Sequence, residues 1–215
     1  MSETALPSTP AQAWAALRAG NERFVADSPM HPNQGAARRH ELAGGQAPFA
    51  AFFGCGDSRV AAEVIFDQGL GDLFVVRTAG HVVAEGVMGS LEFATEILGV
   101  PLIVVLGHDS CGAVKAAIQH YLDASMPKGY IRDIVERVTP SVIAAHRAGA
   151  TGTDEVEAEH VRQTIHLIHE RSQMIHRAVD EGRCAIVGLT YALADGRASV
   201  VEAIGDIGEP LAASA

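Results

Sequence analysis

The chain has 215 residues, of which 48% are hydrophobic and 20% are charged, and its formal net charge is −10. This size and composition fit a globular protein that buries a sizeable core in one large domain. The acidic balance argues against general binding to nucleic acid or to an anionic membrane, because both require a positive surface. The longest apolar run, residues 100–106, is too short to span a bilayer.

The cysteines and the first residues of the chain predict a cytoplasmic protein. The chain has three cysteines, a number that is odd and too small for a disulfide framework. Reduced thiols that serve as metal ligands fit a reducing cytosol. The first residues contain neither a basic leader nor an apolar run, so we expect no signal peptide.

Helical and strand-like patterns alternate along the chain. Residues 10–26 have the apolar spacing of a helix, and residues 27–47 predict an irregular segment with some helix near 38–42. Short apolar runs without alternation, which are typical of strands buried on both faces, follow at 49–54, 73–76, 102–106 and 185–189. Helical spacing appears at residues 87–98 and again over a long amphipathic stretch at 154–181. Residues 200–204 predict a fifth strand.

This order of elements predicts an α/β fold. Strands that alternate with helices favour a mostly parallel β-sheet of four to five strands, flanked by helices. We interpret the whole chain as a single domain with a helical N-terminal arm (1–47) and an α/β core (48–215).

Two short segments contain the residues best suited to chemistry. Residues 55–59 (CGDSR) follow the first predicted strand, and residues 108–112 (HDSCG) follow the third. Because ligands collect at the carboxyl ends of parallel strands, the two segments can meet in one crevice. Two thiols, an imidazole and a carboxylate suit a tetrahedral zinc ion. We therefore predict a zinc site formed by Cys55, Asp57, His108 and Cys111.

The role of the site depends on Asp57. If residues 55–59 are extended, the side chains of Cys55, Asp57 and Arg59 point to the same side. Asp57 can then bind the zinc or pair with Arg59 through charge-assisted hydrogen bonds. Four protein ligands are typical of structural zinc, whereas three leave a position at which water is activated. A purely structural zinc stays open as an alternative, although the chain lacks the C-x-x-C pairs that such sites often use.

Several glycines, acidic residues and histidines outside the ligand set have simpler interpretations. We expect Gly107 and Gly112 to relieve crowding beside the metal. The acidic run at 154–159 is interpreted as a solvated helix start, where negative charge suits the helix dipole. Four histidines on the long helix are also expected to be solvated: His160, His166, His169 and His176. The alternative for His166 and His169 is a metal-binding pair.

The motifs resemble those of the β-class carbonic anhydrases. The pattern C-x-D-x-R followed by H-x-x-C is that family's zinc and catalytic signature, and further matches in the same order extend over roughly residues 12–208. The resemblance implies one Zn²⁺ per subunit on Cys55, His108 and Cys111, with Asp57 and Arg59 as catalytic residues that orient a hydroxide on the zinc. It thereby implies reversible hydration of carbon dioxide to bicarbonate and a proton.

The resemblance also implies residues for the substrate, for regulation and for assembly. The substrate-binding positions are Gln46, Phe74, Ala79, Phe93 and Gly112. One subgroup closes its zinc with the aspartate and binds bicarbonate beside a Trp–Arg–Tyr trio, of which Arg77 and Tyr191 match two members and Phe52 replaces the tryptophan. Proton export would use His81 or an external buffer. A homodimer or a dimer of dimers is expected, with the pocket near the interface.

Two other functions stay open at this level. The same zinc scaffold can support hydrolysis of carbonyl sulfide or carbon disulfide. A protein of a different class, a non-enzymatic interaction protein stabilised by zinc, also fits the ligand pattern.

Overall fold

A computed structural model describes residues 6–208, so residues 1–5 of the expected arm and 209–215 of the expected core lie outside the described residues. The strands are β1 (Ala50–Cys55), β2 (Leu73–Thr78), β3 (Leu102–His108), β4 (Ala185–Tyr191) and β5 (Ala198–Ile204). The α-helices are α1 (Pro10–Val25), α2 (Ala36–Glu41), α3 (Ala62–Ile65), α4 (Glu85–Glu92), α5 (Gly112–Asp123), α6 (Ile131–Arg147), α7 (Thr153–Arg171) and α8 (Gln173–Asp180). Shorter helical turns cover Leu42–Gly44, Ala79–His81 and Phe93–Ile97.

The five strands form one sheet in the order β2-β1-β3-β4-β5. The first four strands pair in parallel, and β5 runs antiparallel to β4. This confirms the predicted α/β fold with a mostly parallel sheet flanked by helices. Within the described residues, no helix is both long enough and apolar enough to cross a membrane.

Both faces of the sheet are covered by helices, which explains the continuous apolar runs in the strands. On one face, Phe52 of β1 packs in a cluster with Trp14 of α1. On the other face, Phe53 and Val105 pack in a cluster with Ile165 of α7. A strand buried on one face only would alternate apolar and polar residues.

Helix α7 lies close to β3 and β4 because each strand has a glycine beneath it. A Cβ atom at Gly107 would lie 2.5 Å from the Glu157 carboxylate and 2.5 Å from Val161, and one at Gly188 would lie 2.7 Å from Val161. Gly107 therefore makes room for α7, not for the metal as the sequence suggested. At Gly112, the second glycine expected to relieve crowding, a Cβ atom would meet no described atom within 4 Å beyond its chain neighbours and the adjoining helix backbone.

The single long helix predicted for residues 154–181 is wrong, since it is two helices separated at Ser172. The backbone of Ser172 is extended (φ −102°, ψ 108°), and its hydroxyl accepts a hydrogen bond from the Ile175 N–H as the cap of α8. The same hydroxyl donates to Glu92 Oε1 at 2.6 Å. Helices α3, α5 and α6 were not predicted from the sequence.

Candidate metal centre

The two predicted segments meet at the carboxyl edge of the sheet. Cys55 is the last residue of β1 and His108 the last residue of β3, and these strands are parallel neighbours. Cys111 immediately precedes α5, after a turn in which Ser110 has a φ of 55°. One ligand atom from each of the two cysteines and the histidine lies within 4.8 Å of the others, and all three residues are buried.

The imidazole of His108 is oriented for metal binding. Its Nδ1 donates to the carbonyl oxygen of Asp109 at 2.8 Å, which leaves Nε2 with a free lone pair. Nε2 is buried and has no hydrogen-bond partner among the described residues. Buried polar atoms are nearly always satisfied, and a backbone carbonyl that fixes the other nitrogen is the usual second partner of a metal-bound histidine. A metal ion therefore fits this nitrogen.

The two thiols influence each other. The neighbouring Cys111 thiol lowers the pKa of Cys55, and Cys55 in turn raises the pKa of Cys111. The N–H of Gly80 also donates to the Cys55 sulfur at 3.4 Å. A thiolate is consequently favoured at Cys55, and thiolates are the form in which cysteines bind metals.

Asp57 is paired with Arg59 through a turn. The N–H of Val60 donates to the Asp57 carbonyl at 3.0 Å, so the extended conformation expected for residues 55–59 is wrong at Ser58 and Arg59. Arg59 donates from its backbone N–H and from Nε to Asp57 Oδ1, both at 2.9 Å, and from Nη2 to Oδ2 at 2.7 Å. These hydrogen bonds hold the pKa of Asp57 well below its usual range. The carboxylate is therefore ionised throughout the neutral pH range.

The Asp57 carboxylate borders the cluster of ligands without belonging to it. Its Oδ2 lies 4.0 Å from His108 Nε2. Within the described residues, the Arg59 guanidinium is the only donor to Oδ2, so this oxygen keeps a lone pair for a further donor. The pair is partly open to solvent, with the Asp57 side chain 19% exposed and that of Arg59 53% exposed.

Glu157 of α7 supports the backbone of His108. The interpretation of Glu157 as a solvated residue is wrong. Its side chain is 1% exposed, and Oε1 accepts a hydrogen bond from the His108 N–H at 3.1 Å. Burial raises the pKa of Glu157 to about 7. The signal that could have revealed this burial is the pair Gly107 and Gly188, which lets α7 approach the strands.

Two more buried histidines lie beside the centre. His160, also expected to be solvated, is 5% exposed and donates from Nε2 to the Gly80 carbonyl at 2.9 Å. Its ring lies 4.3 Å from that of His81, centroid to centroid. His81 is completely buried, and burial lowers its pKa well below the usual value. Its burial does not suit the predicted exchange of protons with solvent.

Only two of the five predicted substrate positions are next to the cluster along the chain. Ala79 precedes Gly80, whose N–H contacts the Cys55 sulfur, and Gly112 follows Cys111, so both are next to the cluster. Gln46 is exposed in the segment before β1.

The aromatic members lie elsewhere. Phe74 and Phe93 pack together with 6.2 Å between ring centroids, and Phe93 is 44% exposed. Phe74 pairs with Ala51, four residues before Cys55 on β1, which corresponds to about 13 Å along the strand. Phe74 of the edge strand β2 and Phe93 of the turn after α4 are therefore remote from the cluster of their own chain.

The predicted anion-binding residues are on the same face of the sheet but on different strands. Arg77 of β2 donates from Nε to the Cys55 carbonyl at 2.9 Å and from Nη2 to the Asp57 carbonyl at 2.5 Å. Tyr191 of β4 is buried, and β1 and β3 lie between it and Arg77, a separation of about 14 Å between the strands. Arg77 thus supports the backbone of the metal segment, and an anion site at these residues stays a prediction.

Comparison with known proteins identifies relatives along most of the chain. A family model described as carbonic anhydrase matches residues 50–198. The chain is 57% identical over 205 residues to carbonic anhydrase 2 of Mycobacterium tuberculosis (strain ATCC 25618 / H37Rv), covering 95% of this chain and 99% of that protein. It is 56% identical over 202 residues to a carbonic anhydrase of Mycolicibacterium smegmatis, covering 94% and 98%.

Solved structures share the fold. The β-carbonic anhydrase CcaA superposes with a TM-score of 0.66 and 25% identity, covering 75% of this chain and 77% of that chain. A Coccomyxa β-carbonic anhydrase superposes with a TM-score of 0.67 and 21% identity, covering 93% and 90%.

Proposed function

The chain belongs to the β-class carbonic anhydrases, and from that membership we propose that it hydrates carbon dioxide reversibly to bicarbonate and a proton, using one zinc ion per chain. The observation that carries this proposal is the buried cluster of Cys55, His108 and Cys111, with ligand atoms within 4.8 Å of one another. The unpartnered Nε2 of His108 supports it further.

The three residues of the cluster would hold the metal. Two thiolates and an imidazole form a donor set that suits zinc. Zinc bound there supplies Lewis acidity, which makes a water molecule acidic near neutral pH. Asp57 stays outside this ligand set in our proposal because both of its carboxylate oxygens accept hydrogen bonds from Arg59.

Asp57 and Arg59 orient the reacting water. Oδ2 of Asp57 accepts a hydrogen bond from that water, so the water's lone pair points toward the carbon of the substrate. Arg59 keeps the carboxylate ionised and keeps it away from the metal ligands. External buffer takes the released proton, since His81 is buried.

The active form is proposed to be a homodimer or a dimer of dimers. The position of Phe74 and Phe93 supports this, because two residues expected to line the carbon dioxide pocket lie about 13 Å along the sheet from their own metal cluster. Phe93 is 44% exposed and Phe74 is half-buried on the edge strand, so this aromatic pair can face the cluster of a second copy. We also propose a cytoplasmic location, which cell fractionation tests and which the three unpaired cysteines support.

Replacing Phe93 by glutamate tests the assembly. A charge on this partly exposed ring position should break the contact between copies, because burial of an unpaired carboxylate is costly. We expect sedimentation velocity to show a shift toward the single chain of 22.5 kDa, together with a loss of hydratase activity at unchanged zinc content. The matched control is Tyr130→Glu at a residue that is 95% exposed, which should keep the wild-type mass. An unchanged mass for Phe93→Glu would remove this face from the interface.

Metal removal tests the function itself. We expect a chelator to abolish carbon dioxide hydration measured by stopped-flow and expect zinc to restore it at one equivalent per chain. Competition with carbonyl sulfide or carbon disulfide in the same assay identifies the preferred substrate. Full zinc occupancy without hydration at any pH would instead favour a non-enzymatic zinc protein.

A further inference from the structure

A second cluster of metal-ligating side chains lies where α7 meets α8. His169 is in the last turn of α7, and His176 and Asp180 are one turn apart on α8. One ligand atom from each of the three side chains lies within 4.8 Å of the others. None of these residues takes part in the candidate metal centre.

The break at Ser172 creates this cluster. In a continuous helix, residues seven apart are separated by about 10.5 Å along the axis. The break brings the rings of His169 and His176 to 4.3 Å, centroid to centroid. The Ser172 hydroxyl caps α8 and donates a hydrogen bond to Glu92 Oε1 at 2.6 Å. The fold therefore fixes the position of His176 relative to His169.

The polar atoms of the cluster suit a cation. Nε2 of His169 is buried and has no hydrogen-bond partner in the described part of the chain. His176 Nε2 and Asp180 Oδ2 are 3.3 Å apart, close to the roughly 3.3 Å between two ligand atoms of a tetrahedral zinc site with bonds of about 2.0 Å.

His166, one turn before His169, is occupied elsewhere. Its Nε2 contacts Glu202 Oε1 at 2.8 Å. The pair His166 and His169, which the sequence offers as an alternative, is therefore the weaker set of ligands.

We propose that His169, His176 and Asp180 form a second binding site for a divalent first-row transition metal such as Zn²⁺ or Ni²⁺, with water completing the coordination. Imidazole ligands select these ions over Mg²⁺ and Ca²⁺, which prefer oxygen. The bound ion joins the end of α7 to α8 and so stabilises the folded chain. The site is independent of carbon dioxide hydration, since it shares no residue with the candidate metal centre.

Titration with Ni²⁺ by calorimetry tests the proposal, using the tag-free protein loaded with one equivalent of zinc per chain so that the second site stays free. We expect one Ni²⁺ per chain and no binding of Mg²⁺. His176→Ala should weaken Ni²⁺ binding at least about 10-fold, because even outer partners of metal ligands are worth about 10–100-fold. The matched control is His166→Ala, which should keep the wild-type affinity. The His166 and His176 side chains are 45% and 52% exposed, so both variants should fold.

Thermal unfolding provides a second readout. Ni²⁺ should raise the Tm of the wild type and of His166→Ala but not that of His176→Ala. Equal Ni²⁺ affinity of the wild type and His176→Ala would overturn the proposal. A selective loss of binding in His166→Ala would overturn it as well, since the site would then be the pair on α7.

Discussion

Replacing Arg59 by alanine is expected to lower kcat/KM for carbon dioxide hydration at pH 8 by at least about 100-fold, the scale of a positioned group that handles a proton. Arg59 makes three hydrogen bonds to the Asp57 carboxylate, and these fix its orientation. Without the side chain, Asp57 Oδ2 is free to move from its position 4.0 Å from His108 Nε2 into the metal's coordination shell. Four protein ligands then leave no place for the reacting water.

Two control variants separate this effect from a general loss of charge. Arg59→Lys keeps the charge but cannot form the bidentate pair, so we expect an intermediate activity. Arg132→Ala removes an arginine whose side chain is 63% exposed and pairs with Glu136 on the surface, and it should stay within about twofold of the wild type. Full activity of Arg59→Ala at unchanged zinc content would refute the role given to this pair.

Replacing Gly107 by alanine is expected to lower the free energy of unfolding by roughly 2–5 kcal/mol. The added Cβ would lie 2.5 Å from Glu157 Oε1 and 2.5 Å from Val161, so α7 must move away from β3. That movement costs packing and leaves the buried His108 N–H without its acceptor, Glu157. Urea denaturation of the zinc-free and zinc-loaded protein measures the loss.

The matched control for this change is Gly89→Ala in α4. Beyond its chain neighbours and the adjoining backbone of α4, no described atom lies within 4 Å of a Cβ at this exposed position. Alanine favours a helix over glycine by about 0.5–1 kcal/mol. We expect the control to be neutral or slightly stabilising. If Gly107→Ala behaved like the control, the close approach of α7 would not matter for stability.

The sheet and the meeting of Cys55 with His108 could be predicted because their signals are local. Strands buried on both faces have continuous apolar runs, and each of those runs became a strand. Cys55 and His108 directly end two such strands, so the rule that ligands gather at the carboxyl ends of parallel strands was sufficient to place them together.

The features that were missed depend on contacts between distant parts of the chain. Glu157 belongs to an acidic run that looks solvated, and only the glycines of β3 and β4 bring it under the backbone of His108. The break at Ser172 depends on Glu92, which is 80 residues away. Helical periodicity continues across that break, so the pattern alone predicts one helix.

The geometry of Asp57 and Arg59 was predicted only in part. Their pairing follows from opposite charge and short spacing, but the turn that achieves it is stabilised by the hydrogen bond from the Val60 N–H. The aromatic residues Phe74 and Phe93 were expected near the metal, and their distance from it within one chain depends on strand register.

Stopped-flow hydration of carbon dioxide by the zinc-loaded protein between pH 6 and 9 tests the central claim most directly. The pKa of Asp57 is held far below this range by Arg59, so the carboxylate stays charged throughout and its own titration does not shape the profile. We predict one zinc per chain at the candidate metal centre and an activity that is low at pH 6 and rises steeply toward pH 8, as the reacting water loses its proton and Asp57 stays off the metal. Absence of hydration across the whole range at full zinc occupancy, or a flat profile from pH 6 to 9, would contradict the account.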